Sequence, residues 1–110
     1  MNNLLVRNQT QSEDDEFGED SLIAETTKAY ACISTENNQI MIHVMWVKGE
    51  NYRQGSGKEF VSLIKAKFPS YQVVANGVDK NGQDDYTVRA RLFWLEMLRL
   101  ELINKIEWNG

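Results

Sequence analysis

The segment ENYRQGSGKEF, residues 50–60, holds the residues best suited to chemistry. Gly55 and Gly57 stand one residue apart, after Arg53 and before Lys58. Glycine lets a backbone approach a ligand with no Cβ in the way. The two cations favour an anion, and phosphate is the natural guest where such a loop opens a helix. His43, the only histidine, lies upstream and titrates where proton transfer near neutral pH is useful. Glu50 is a carboxylate in the loop itself, read first as a solvated turn residue and second as a base. Cys32, the only cysteine, reads as a small buried apolar residue rather than an acyl relay.

Two well-known phosphate loops do not fit. The pattern G-x-x-x-x-G-K-[ST] is met at Gly57-Lys58, but Tyr52 stands at its first glycine and Glu59 at its hydroxyl. The pattern G-x-G-x-x-G is met at Gly55 and Gly57 and broken by Phe60.

The elements that must position this loop follow from periodicity. TKAYACIST reads as a strand, ENN as a turn, and QIMIHVMWV as a second, antiparallel strand. Strict alternation places Ile40, Ile42, Val44 and Trp46 on one face and Met41, His43, Met45 and Val47 on the other, both apolar enough to be covered. Phe60, Val61, Leu63, Ile64 and Phe68 follow helical spacing from Ser56 until Pro69. YQVVANGV is a third strand, and DKNGQDD a loop. Thr87 or Asp85 is expected to cap a second helix, with Val88, Leu92, Leu95 and Leu98 or Arg99 on its inner face. LRLELINKIEW fits a helix extension or a strand burying Leu100, Leu102 and Trp108. The fold class is therefore α/β, an α+β mixed sheet: an antiparallel hairpin followed by β-α-β-α, with helices packed on the sheet. The glycine loop then joins the end of a central strand to a helix N-terminus, where unpaired N–H groups and the helix dipole favour an anion.

In that setting, VKGENYRQGSGKEFVSLIKAKFP resembles the coenzyme-A loop of the GCN5-related N-acetyltransferase (GNAT) family. The family motif runs from a strand valine through [QR]-x-x-G-x-[GA] into a helix. Val47, Gly55 and Gly57 match, while Tyr52 stands at the [QR] position with Arg53 beside it. ARLFWLEM is similar to the family's A-x-x-F-Y helix, with Ala90 and Phe93 matching and Trp94 in place of the tyrosine. The resemblance covers residues 40–97 and implies a minimal, N-terminally shortened member that binds acetyl-CoA. It implies that Met45 and Val47 offer backbone to pantetheine, and that Arg53, Gln54, Gly55, Ser56, Gly57 and Lys58 hold the pyrophosphate. Phe93 and Trp94 would flank the cofactor, and Arg89 or Arg91 meet a phosphate. The strand ending at Asn76 and Gly77 would splay to admit pantetheine.

The implied activity is transfer of the acetyl group to an amine by direct attack, the acceptor being a protein lysine or a small amine. His43 or Glu50 would act as base, and Tyr86 as the acid that the family's tyrosine usually supplies. Trp46 would line the acyl pocket or the core.

Charge gives a second reading. The chain has 110 residues and net charge −4. Residues 1–26 hold seven acidic residues and one basic, Arg7; residues 27–110 hold nine acidic and eleven basic. Residues 1–20 are expected to be an acidic, disordered leader, and residues 21–110 one domain. With such a leader, a GNAT-like protein without catalysis would bind or inhibit a basic partner. A homodimer is an open possibility, since a shortened fold exposes apolar surface. No run of 18 apolar residues, no basic-then-apolar N-terminus and a lone cysteine lead us to expect a cytoplasmic protein away from membranes, without direct nucleic-acid binding and without a cysteine metal site.

Overall fold

The computed structural model describes residues 3–10, 21–49 and 55–110. The elements run β1 (Leu5–Asn8), β2 (Leu22–Glu25), β3 (Ala29–Glu36), β4 (Gln39–Val47), α1 (Ser56–Lys67), β5 (Gln72–Asp79), α2 (Asp85–Arg99) and β6 (Lys105–Asn109). The six strands form one mixed sheet in chain order. Neighbours from β1 to β4 are antiparallel, and β4, β5 and β6 are parallel through their helical crossovers. The expected α/β class and the order of its central elements are present.

The hairpin from β3 to β4 turns on Asn37 and Asn38, both at positive φ, 49° and 63°. A two-residue turn of that kind matches the twist of the strands it joins, and asparagine tolerates the left-handed region better than most residues. Helix α1 starts at Ser56 and stops short of Pro69, where the sequence puts its ends. Phe60, Val61 and Ile64 of α1 join Ala31, Ile33, Ile40, Ile42, Val73 and Ala75 of the sheet in one buried cluster. Met97 of α2 belongs to the same cluster, so both helices pack on one face of the sheet.

The structure corrects five expectations. Residues 5–8 of the leader are a strand: Val6 packs against the core, and Arg7 Nε donates to Glu25 across the pair at 3.3 Å. Residues 11–20 lie outside the described residues. The four residues of β2, LIAE, are too short a run for a period to mark them in the sequence.

The alternation along β4 breaks at His43. Ile33 pairs with Ile42 and Cys32 with Val44, which leaves His43 as the extra residue of a β-bulge. Beyond it, Met45 and Val47 join the face of Ile40 and Ile42 and pack against the core, while Trp46 turns away and stacks on Tyr30 at 4.7 Å.

Helix α2 is capped by Asp84, whose carboxylate accepts from the Thr87 N–H at 3.0 Å and the Thr87 hydroxyl at 2.7 Å. Thr87 is thus the donor, not the cap. The helix is also turned relative to expectation: Met97 is buried, while Leu92 and Leu95 are 60% and 40% exposed. The tail ends in β6; Ile103, before the strand, and Ile106, within it, are its buried residues, while Leu100 and Leu102 pack partly buried against the core and Trp108 is exposed. Among the described residues, no helix is long and apolar enough to cross a membrane.

Candidate functional site

The sheet opens between β4 and β5. Their parallel ladder runs from Gln39↔Gln72 to Ile42↔Ala75 and stops, although β4 continues to Val47 and β5 to Asp79. Each strand is bulged just past that point. The bulge in β4 is His43; the bulge in β5 is Gly77, skipped in the pairing with β6 and held at φ 75°. Bulges bend strands and end pairing.

The free edge of β4 has a defined phase. Lys48 N–H donates to the Lys28 carbonyl at 2.7 Å. Exchange of backbone bonds then falls on Tyr30↔Trp46, and Ala31↔Met45 and Ala29↔Val47 are the non-bonded pairs. Met45 and Val47 therefore turn their N–H and C=O groups toward the opening. No described strand pairs with them there.

A cleft of about 810 Å³ occupies the opening. Its walls are the second half of β4, the end of β5 and the inner side of α2, and the start of α1 closes one end. Gly55 caps α1 with φ 76° and no side-chain hydrogen bond. The first helical bond is Glu59 N–H to the Gly55 carbonyl, 3.0 Å. The amides of Ser56, Gly57 and Lys58 precede it and have no helical acceptor.

Gly57 is fixed by packing. A Cβ there would lie 3.0 Å and 3.2 Å from two ring atoms of Phe93 and 3.6 Å from Met45 Cε. Glycine at this position lets β4, α1 and α2 converge at one point. Phe93 in turn meets Trp94 edge to face at 4.9 Å.

His43 bridges the opening where the main-chain ladder has ended. Asn76 Nδ2 donates to its Nδ1 at 2.9 Å, which leaves the ring proton on Nε2. Nε2 donates to Ser34 Oγ at 2.7 Å. Burial lowers the His43 pKa below the usual imidazole value, which favours this neutral ring. Around the far end of β4, Arg7 and Lys48 both bond Glu25, each at 3.3 Å. Burial alone would raise the Glu25 pKa; the hydrogen bonds and charges of Lys48 and Arg7 outweigh it and lower the pKa.

No family model, no curated protein and no solved structure matches this chain.

The residues singled out from sequence divide into three groups. His43, Met45, Val47, Gly55, Gly57, Lys58, Tyr86, Phe93 and Trp94 all line the cleft, and Ser56 is buried in the first turn of α1. Tyr86 stands at the rim, 63% exposed. Glu50, Arg53 and Gln54 lie outside the described residues.

Arg89 and Arg91 also reach the cleft, but Arg91 Nη1 is engaged with the carbonyls of Asp79 and Gly82, both at 3.1 Å. It staples the loop before α2. Cys32 is buried within β3. No group of three or more possible metal ligands occurs among the described residues. Ser34 is the residue that sequence reasoning missed. Its partnership with His43 depends on cross-strand register and on the bulge, and neither leaves a mark in one-dimensional spacing.

Proposed function

We propose that this protein is a GNAT-like N-acetyltransferase that binds acetyl-CoA in the cleft between β4 and β5 and passes the acetyl group to an amine. The observation that carries the proposal is the end of the β4–β5 ladder at Ile42↔Ala75, opening directly onto the N-terminus of α1. Such an opening in a sheet exposes backbone donors and acceptors to a ligand, and a helix N-terminus beside it favours phosphate.

The residues present fit the group. The free amides of Ser56 to Lys58 and the Lys58 ammonium would hold the pyrophosphate. The backbone of Met45 and Val47 matches the amides of pantetheine as an added strand would. The volume lies within the range of small-molecule and cofactor sites, about 300–1,000 Å³. When bound, acetyl-CoA supplies an activated acyl thioester.

The chain's own residues then orient it and manage protons. The acceptor must be neutral to attack, and His43 stands at the apex of the opening. Its one lone pair, on Nδ1, is taken by Asn76. For His43 to accept a proton, the Asn76 amide must turn its carbonyl to Nδ1, where it then accepts from the imidazolium. Tyr86 is the phenol at the cleft rim. Trp94 offers an indole N–H, a donor that does not release its proton.

The engaged ring nitrogens of His43 and the indole at position 94 also favour a second reading, binding without turnover. In it the acidic residues 13–20 would engage a basic partner.

Release of free CoA thiol from acetyl-CoA, followed with lysine peptides and small polyamines, separates the two. The enzyme reading expects amine-dependent release that falls about 100-fold or more in His43→Ala, as for loss of a general base. Binding of acetyl-CoA with no thiol release for any amine would leave the second reading.

A further inference from the structure

Helix α2 is apolar on two sides and uses only one of them. Residues on a helix lie 100° apart. Ala90, Trp94 and Met97 turn toward the sheet, and only Met97 is fully buried in the whole 15-residue helix. Val88, Leu92, Leu95 and Arg99 form a second stripe at spacings of four, three and four. That is the a/d spacing of a two-helix seam. This is the face that the sequence marks as the core side, and the structure leaves it outside: Leu92 and Leu95 are among the most exposed large apolar residues described, and Arg99 is exposed as well.

We propose that this stripe is the docking surface for a second copy of the chain, the two α2 helices lying antiparallel about a two-fold axis between Leu92 and Leu95. Leu92 of each copy then packs on Leu95 of the other, and Val88 on the methylene stem of Arg99.

The charges beside the stripe select this occupant. Arg89 and Glu96 lie on the same flank of the seam, seven residues apart. In the antiparallel arrangement Arg89 of one copy stands beside Glu96 of the other, and symmetry makes the pair twice. Glu96 is held in place by a two-bonded pair with Arg99, at 2.8 Å and 2.5 Å. A parallel pairing would put Arg89 of one copy and Glu96 of the other on opposite flanks of the seam, so this pair could not form. The antiparallel pairing also opposes the helix dipoles favourably. Arg89, Leu92 and Glu96 also line the cleft, so the seam borders the cleft of each copy.

Sedimentation velocity of the full chain over a range of concentrations tests the proposal. A concentration-dependent dimer is expected. Leu92→Glu/Leu95→Glu should be monomeric throughout, with an unchanged far-ultraviolet circular dichroism spectrum because both side chains are exposed in a single copy. Arg89→Glu alone and Glu96→Arg alone should each weaken association about tenfold or more, through like-charge contacts across the axis. The double reversal Arg89→Glu/Glu96→Arg should restore it to within about threefold, the error usual when paired effects are combined. This restoration tests the register even if the leucine variant unfolds. A wild-type chain that stays monomeric, a dimer that survives the leucine changes with the fold intact, or a double reversal no better than the single ones would overturn the proposal. Capture of a different protein by a monomeric chain would count against it too.

Discussion

The two halves of β4 differ sharply in what holds them. From Gln39 to Ile42 the strand is paired on both edges, with β3 and with β5, and Ile40 and Ile42 are buried completely. From Val44 to Val47 it is paired with β3 alone, and no side chain is fully buried. The change happens at one residue, the bulged His43. The first half carries packing energy that any sheet protein needs. The second half gives up a strand partner, and with it a set of backbone bonds, which is sensible only where something else meets those groups.

The largest expected effect comes from setting the halves against each other by truncation. Ile42→Ala should lose about 2–5 kcal/mol of stability, the range for a buried Ile that leaves a cavity. Val47→Ala should lose less than about 1.5 kcal/mol, because its side chain is half-buried and its environment can relax. Urea unfolding of both variants measures this, and equal losses would remove the distinction between the halves.

A middle-sized effect is expected at the bulge in β5. Gly77 has φ 75° with open space where a Cβ would stand, so Gly77→Ala meets backbone strain and no clash. The cost should be about 1–2 kcal/mol, and Gly77→Asn should be milder because asparagine tolerates that conformation. Identical stabilities for the two variants would argue that the strand relaxes its bulge.

The smallest effect is the pH dependence of the bolt between the strands. The folded pKa of His43 lies below its unfolded value, so between them the unfolded chain binds more protons. Stability should therefore fall as pH drops from about 6.5 toward the lower folded pKa, and be unaffected by this residue above that window. His43→Gln should flatten the dependence in a series of urea titrations. An unchanged slope would mean that the imidazole is not what senses the acid.

Much of the architecture was legible because local signals agreed with the fold. Pro69 stops α1, the asparagine pair makes the hairpin turn, and runs of β-branched residues mark β4 and β5. The failures have common physical causes. A bulge is one inserted residue, and it reverses every later inside–outside assignment without disturbing composition. That is why Met45, Val47 and Trp46 changed faces. On α2, two apolar stripes compete for the core. Periodicity cannot choose between them, since the choice falls to the close approach of Phe93 to Gly57. β1 and β2 are four residues each and are held by pairing rather than by pattern. The cleft-lining residues near the glycine pair were foreseen, but Ser34, which fixes His43, was not.

Calorimetric titration of the folded protein with acetyl-CoA is the most direct test of the central claim. Saturable binding at one site per chain is expected, weakened about tenfold or more by Lys58→Glu, an exposed charge reversal beside the amides of α1. A folded wild-type protein with no binding up to about 1 mM, the upper end of ordinary Michaelis constants, would contradict it, as would binding that Lys58→Glu leaves untouched.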